Sequence, residues 1–332
     1  MGLRKGVWPM GVETVPEPCL HFSSIGDDSW EVAEQESKPM ILPTEEGEDN
    51  FEHLFVKDVG NRLVSNSTDA SFYLTLHYDT EKARGSPACA LPPSSTFFLS
   101  TVDSISVKTF SDSAYTMLPK HSKSAGPGQF DLILLDPPWQ NRSVRRSKRY
   151  HTTASHSGRR YEDSDPLIPL EESLGQHIAP GGLVGCWITN KAKVREKALQ
   201  LFDSWGVELE EEWVWLKVTS NGDPVTELGG VWRKPYEVLL LGRKSLNDED
   251  VRERKRVRVG EERKVRKTLL VAVPDLHSRK PNLKELIEPM IPHLREYRAL
   301  ELFARNMTAG WWAWGDESLK YNWTDIWSTD LD

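Results

Sequence analysis

The tetrapeptide Asp136-Pro137-Pro138-Trp139 holds the residue types and spacing best suited to chemistry. A carboxylate is followed by two prolines, whose fixed φ angles keep the neighbouring carbonyls from relaxing away. An indole comes next, able to stack on a flat ring. Such a set suits an exocyclic aromatic amine. The lone pair of adenine N6 is delocalised into its ring, so the amine is a poor nucleophile. Hydrogen bonds donated by N6–H to Asp136 and to a proline carbonyl favour the pyramidal, more nucleophilic form. Stacking on Trp139 adds roughly 1–3 kcal/mol per base. The bland alternative is a tight turn with an incidental tryptophan.

The preceding element weighs against that alternative. Phe130-Asp131-Leu132-Ile133-Leu134-Leu135 is an apolar run bounded by Gly126-Pro127-Gly128 and the two prolines. It reads as a buried strand, which puts Asp136 at a strand's carboxyl edge, where open α/β sheets bind ligands. Directly after the turn, residues 140–160 carry seven Arg or Lys and no acid. Phosphate contacts from such a loop orient a nucleic-acid strand; a solvated surface loop is the alternative. Asn141, Arg142, Arg145, Arg146, Arg149 and Tyr150, with Lys234 and Tyr236 further on, are the candidate substrate contacts.

A second polar set lies near the carboxyl terminus. Residues 300–306 read as a strand running into Arg305 and Asn306, followed by Trp311-Trp312-Ala313-Trp314-Gly315-Asp316-Glu317. Lys280 can pair with a carboxylate, Arg305 and Asn306 can hydrogen-bond a sugar and an amino-acid group, and Asp316 and Glu317 can take hydroxyls. On residue types alone, a tryptophan-rich end is as readily core. The chain contains no glycine-rich phosphate loop, which counts against nucleotide-phosphate cofactors.

The elements that must position these groups follow from periodicity. Helices are expected over 165–178, 191–205 and 284–291, and strands over 183–189, 212–218 and 236–242. Their alternation from about residue 96 argues for a doubly wound α/β sheet. Before it, 1–50 is acidic and expected to lack structure, and 51–95 reads as a small accessory region with a strand at 72–78. A charged insertion, 243–267, has eleven basic and six acidic residues, and its Arg254-Lys255-Arg256-Val257-Arg258 run hints at nuclear import. The candidate residues at 136–139 and 280–317 would thus sit in one domain, 96–327.

The formal net charge of −8 misleads until divided, because residues 1–58 alone carry thirteen acids and four bases. The remainder is near neutral with clustered bases, a fair nucleic-acid candidate. Three cysteines, far apart, show no metal spacing and fit a reducing compartment. The amino terminus lacks an apolar leader, and no stretch reaches membrane-spanning length. No metal is expected.

Taken together and in order, several motifs resemble the nucleic-acid adenine-N6 methyltransferases related to the catalytic subunit of the messenger-RNA methyltransferase complex. They are Asp136-Pro137-Pro138-Trp139-Gln140-Asn141, Ser143-Val144, Arg149-Tyr150, Trp187-Ile188-Thr189-Asn190, Lys234-Pro235-Tyr236-Glu237, His277-Ser278-Arg279-Lys280-Pro281 and Glu301-Leu302-Phe303-Ala304-Arg305-Asn306. The resemblance spans about 92–327. It implies a Rossmann-like fold that uses S-adenosylmethionine, a catalytic turn at 136–139, and cofactor contacts from Asp136, Lys280, Glu301, Leu302, Arg305, Asn306, Asp316 and Glu317. One position departs from the family pattern: Asp316 stands where members carry Asn, so it can accept but not donate. The family's early acidic cofactor contact has two candidates, Asp103 and the backbone near Leu118.

The resemblance further implies transfer of methyl to adenine N6, in RNA before DNA, with small nuclear RNA adenosine or its 2′-O-methyl form among the substrates. The expected step is direct displacement, with neither a metal nor a covalent enzyme intermediate, in a nuclear protein. Two rivals are a catalytically silent nucleic-acid-binding subunit and an amine methyltransferase acting on protein glutamine or a free base.

Overall fold

The structure is a computed structural model that describes residues 38–43, 51–77, 88–120, 125–139, 166–230, 234–246, 265–276, 278–291 and 296–326. The amino-terminal elements are strand β1 (Met40–Leu42), β2 (Phe51–Phe55), a one-turn helix α1 (Val56–Val59), β3 (Leu63–Asn66), β4 (Phe72–His77) and β5 (Cys89–Leu91). β2, β4 and β5 make a three-stranded sheet, whereas β1 and β3 extend the large central sheet. Met40–Leu42 lies inside the segment expected to lack structure. It is ordered here because Leu42 is wholly buried and the strand pairs in parallel with β3.

Then come β6 (Thr96–Phe98), helix α2 (Ser104–Met117) and β7 (Phe130–Leu135). α2 has no counterpart among the expected helices, since its sequence is rich in Ser and Thr, which favour caps and turns. Its start is nonetheless local chemistry: the Asp103 carboxylate accepts from the Ile105 and Ser106 backbone N–H groups as an N-cap. β7 is buried along its full length, as its run of six with one carboxylate predicts.

Next are the one-turn helix α3 (Ile168–Glu171), β8 (Ile178–Ile188), α4 (Ala192–Ser204), β9 (Val207–Lys217), β10 (Tyr236–Lys244), β11 (Arg266–Ala272), the one-turn α5 (Lys284–Ile287), β12 (Ala299–Leu302) and β13 (Trp312–Trp314). The helix expected over 165–178 is instead α3 plus a 3-10 turn, Leu174–His177. Likewise, the one expected over 284–291 gives way after Ile287 to a 3-10 turn, Glu288–Met290, carrying Pro289. α4 is the predicted amphipathic helix, with Val194, Ala198, Leu201 and Phe202 inward.

The central sheet runs β1-β3-β6-β13-β12-β7-β8-β10-β9-β11. β6, β13, β12, β7 and β8 are mutually parallel, and β10 runs antiparallel between β8 and β9. α2, α3 and α4 cover one face through Phe110, Leu170, Ala198 and Phe202, packed with Ile133 and Leu135 of β7. The other face buries Leu132 and Leu134 with Trp187, Trp213, Trp215 and Ile287. This is a mixed α/β fold with a large, mostly parallel sheet. Its geometry brings the carboxyl ends of β7, β8, β9, β12 and β13 and the amino end of β10 to one edge.

Candidate active site

At that edge the strand ends surround a cavity of about 540 Å³. Asp136, first past β7, is at its centre and buried. Its backbone N–H donates to the Leu302 carbonyl of β12. Trp139 N–H donates to the Pro137 carbonyl at 2.8 Å, closing the double-proline turn. Pro138 is left outermost and exposed.

Two cations grip the Asp136 carboxylate. Lys280 Nζ lies 3.1 Å from Oδ1, and Arg305 donates through Nη1 to Oδ2 at 2.7 Å. The contacts continue outward in both directions. Arg305 Nε also donates to Glu317 at 3.1 Å, and Glu317 accepts from Lys320 at 2.7 Å. Lys280 reaches Glu237 at 2.8 Å, and Glu237 is paired on its far side with Lys217. An alternating chain of seven charges therefore crosses the site from β9 to the residues after β13.

The pKa shifts follow from that chain. Burial alone would raise Glu237, but the charges of Lys280 and Lys217 overcome it and bring its carboxyl down to about 2. Burial would lower Lys280, and Asp136 and Glu237 outweigh it, so the ammonium is held charged. Glu301, beside Leu134 in the β12–β7 ladder, is pushed up to about 8 by burial and by Asp136, against the opposing pull of Arg305, Lys280 and Arg279.

The turns that deliver the two cations are conformationally specialised. Phe303 (φ 57°), two residues before Arg305, and Ser278 (φ 66°), two before Lys280, both occupy the left-handed region. That conformation is costly for a bulky residue such as Phe. Gly315 secures the first turn: a Cβ there would meet the Ala304 carbonyl oxygen at 2.8 Å and its nitrogen at 3.0 Å. Ala304 N–H donates to the Trp314 carbonyl at 3.0 Å. Only glycine lets β13 approach so closely.

Sequence-predicted residues divide by position. Asp136, Lys280 and Arg305 meet directly, and Glu317 joins them through Arg305. Asn306 and Asp316 follow β12 and β13 at the same edge, each partly exposed. Pro137, Pro138, Trp139, Lys234 and Tyr236 line the cavity. Trp139 is only 8% exposed and donates its indole N–H to the Trp187 carbonyl at 2.7 Å, so it ties the turn to β8 as well as walling the cavity. Leu302 puts its side chain wholly in the core, and its carbonyl is the one taken by Asp136. It presents no side chain to the cavity because β12 alternates faces and Glu301 takes the other one. Asn141, Arg142, Arg145, Arg146, Arg149 and Tyr150 lie outside the described residues, as does most of the charged insertion.

Both candidates for the early acidic contact already hold local hydrogen bonds. Asp103 caps α2 and also accepts from the Thr101 hydroxyl at 2.7 Å. Leu118 closes the opposite end of α2, donating to Ala114 and accepting from Gly128 ahead of β7. It therefore lies at the amino edge of the sheet, a helix length from Asp136. Trp187 and Glu237, which stand in the quoted motifs without an assigned role, also line the cavity, as do Trp215 and Lys217 of β9, which received none. Their signal was present in the alternation Trp213-Val214-Trp215-Leu216-Lys217, which places 213, 215 and 217 on one face of β9.

The donor set has the chemistry of an amino-acid zwitterion and a ribose. Arg305 and Lys280 suit a carboxylate, Asp136 an ammonium, Asn306 either group, and Asp316 and Glu317 suit hydroxyls. Across Asp136, the walls are aromatic: Trp139, Trp187, Trp215 and Tyr236.

Comparison with known proteins agrees with this geometry. The profile of the MT-A70 family matches residues 130–317. The N6-methyladenosine RNA methyltransferase MTA1 of Cryphonectria parasitica is 46% identical over 203 residues, covering 60% of this chain and 54% of that protein. The N(6)-adenine-specific methyltransferase METTL4 of Homo sapiens is 36% identical over 237 residues, 71% and 44% of the two chains. A DNA N6-methyl methyltransferase of Caenorhabditis elegans is 30% identical over 221 residues, 65% and 49%. The chain spans about half the length of these curated relatives. The motifs quoted from the sequence also resemble methyltransferase-like protein 4.

Proposed function

Since this chain belongs to the MT-A70 family, we propose that it transfers a methyl group from S-adenosylmethionine to adenine N6 in a nucleic acid, RNA before DNA. The observation that carries this reading is the meeting of Lys280 and Arg305 on the two oxygens of Asp136 beside an aromatic-walled cavity. Bound S-adenosylmethionine supplies an electrophilic methyl on a sulfonium. Arg305, Asn306, Asp316 and Glu317 hold its amino-acid and ribose groups to one side of Asp136. Trp139, Trp187, Trp215 and Tyr236 receive the base on the other side and exclude water from it.

Asp136 is the junction. Each of its oxygens accepts one cation and retains a lone pair, so it can also accept from the adenine N6–H. The Pro138 carbonyl is the natural second acceptor, because Pro137 already accepts from Trp139. Both acceptors draw the nitrogen lone pair out of the ring. Rate enhancement then comes from alignment of the two reactants, which well-oriented sites supply at an order of 7–11 kcal/mol. The amine's proton leaves to water after the transfer.

RNA is favoured because the fungal relative is named an RNA methyltransferase, and DNA stands as the alternative because of the nematode one. The test is methyl transfer from labelled S-adenosylmethionine to matched adenosine RNA, 2′-O-methyladenosine RNA, single-stranded DNA and duplex DNA. Label in adenine of one RNA above both DNAs is expected. Label in DNA alone would overturn the RNA reading, and cofactor binding without label in any polymer would turn it into a silent binding subunit. We further propose nuclear residence, on the basic run at 254–258; a fluorescent fusion confined to cytoplasm would contradict it.

A further inference from the structure

Thr189 lines the base side of the cavity, and its hydroxyl oxygen is buried without a hydrogen bond among the described residues. Buried side-chain hydroxyls are almost always paired, so an orphan at a cavity wall needs a reason. The acceptors around it already have other donors. The Trp187 carbonyl accepts from the Trp139 indole at 2.7 Å. Glu237 accepts from Lys280 and Lys217. The Tyr236 carbonyl accepts from the Asn190 side-chain amide at 3.2 Å.

The ladder between β8 and β10 sets where this side chain stands. Trp187 is opposite Leu239 and Ile188 opposite Val238, so Thr189, one residue past β8, comes level with Glu237. Residues level with one another across two strands share a face, and Glu237 is itself opposite Trp215 of β9. Thr189 therefore belongs to the same cavity wall as Trp187, Trp215 and Glu237. One step to a neighbouring staggered χ1 well turns its oxygen toward the cavity.

We propose that the Thr189 hydroxyl donates to N1 of the target adenine and fixes the base in its own plane, a contact that rests on the adenine-N6 function proposed above. Aromatic walls hold a base by its faces and leave it free to slide and turn between them. Asp136 and the Pro138 carbonyl grip the amine alone, and the ring can still swing about that point. A further in-plane contact stops the swing and keeps the amine lone pair aimed at the sulfonium methyl. N1 adjoins the carbon that bears the amine and is remote from N9, the nitrogen that carries the ribose and must face the cavity mouth. N7 shares the five-membered ring with N9 and lies nearer that mouth. A hydroxyl buried in the wall is thus matched to N1.

Single-turnover methyl transfer by the full chain tests this contact. The substrates are single-stranded oligonucleotides, prepared both as RNA and as DNA, whose target is adenosine, 1-deazaadenosine or 7-deazaadenosine. Each deaza base replaces one ring nitrogen by C–H and keeps the amine. Thr189→Val, nearly the same shape, should be slower about tenfold on adenosine and on 7-deazaadenosine, the scale of one neutral hydrogen bond. On 1-deazaadenosine it should match the wild type, because neither protein can make the bond. Thr189→Ser keeps a hydroxyl and should keep the wild-type pattern. Equal losses on all the targets, or a valine variant as fast as the wild type on adenosine, would overturn the role of Thr189. A loss that vanishes on 7-deazaadenosine instead would overturn the contact with N1. In each of these cases the wild-type protein still labels adenine. A wild-type protein that labels neither polymer would overturn the adenine-N6 function itself.

Discussion

The two sides of Asp136 are built on different principles. Toward β12 and β13 the site is a relay of ion pairs, Asp136–Arg305–Glu317–Lys320, fixed by turns in which Phe303 and Gly315 leave little freedom. Toward β8, β9 and β10 it is a wall of indole and phenol rings, with Lys217 4.6 Å from the centre of the Trp215 ring. The first side recognises a ligand of defined charge and hydroxyl pattern. The second recognises flatness, which every base offers. On the proposed function, selectivity for adenine arises where the sides meet, at Asp136 and the proline carbonyls.

Lys280 is the strongest point at which to break this division, because it contacts Asp136 on one side and Glu237 on the other. Lys280→Met leaves buried Asp136 with Arg305 alone and half-buried Glu237 with Lys217 alone, at a cost of about 1.5–3 kcal/mol. Both the cofactor and the oligonucleotide KM should rise, with a lower melting temperature. Arg305→Met should act on one side only. Loss of a charge-assisted contact of about 1.5–3 kcal/mol predicts an S-adenosylmethionine Kd raised about tenfold to a hundredfold by titration calorimetry, with oligonucleotide affinity little changed. Tyr236→Leu is the mirror experiment. A lost stacking partner is worth about 1–3 kcal/mol, so oligonucleotide KM should rise about tenfold while cofactor Kd holds. If either variant moved both constants equally, the two sides would not be separable.

The effect that varies with pH concerns Glu301. Its carboxyl in the folded chain titrates near 8, above the ordinary carboxylate value of 4.5. The folded state then binds the proton more tightly than the unfolded state. The resulting stability is complete below about pH 4.5 and is lost as pH rises through 8. Denaturant unfolding from pH 5 to 9 should show wild-type stability falling relative to Glu301→Gln. Parallel curves for the two proteins would remove Glu301 from the electrostatics of the site.

Local chemistry made part of this legible in the sequence. β7 and its turn could be read because an apolar run ending in Asp-Pro-Pro allows few other conformations. α4 could be read because its buried residues keep helical spacing over three turns. The polar side of the site was largely visible too, since Arg305, Asn306, Asp316 and Glu317 sit next to strands. The aromatic side was legible only in part, through Trp139 and Tyr236. Trp187, Trp215, Lys217 and Glu237 reach the cavity only because β10 returns antiparallel between β8 and β9, and strand order is a long-range property. α2 was missed because serine and threonine mask its period, although the Asp103 cap was in plain view. Asp103 illustrates the converse hazard, an acid with a plausible ligand role that the backbone of its own helix already occupies.

The junction itself is tested most directly with Asp136→Asn, which keeps the shape of the side chain and removes its charge. Single-turnover transfer of labelled methyl to an adenosine oligonucleotide, with the product nucleoside identified by mass spectrometry, is the measurement. The account predicts N6-methyladenine from the wild-type protein, and a rate at least about a hundredfold lower from Asp136→Asn, the scale of losing one aligned polar group at a reacting centre. Label on any other adenine atom, or a variant as fast as the wild type, would contradict it.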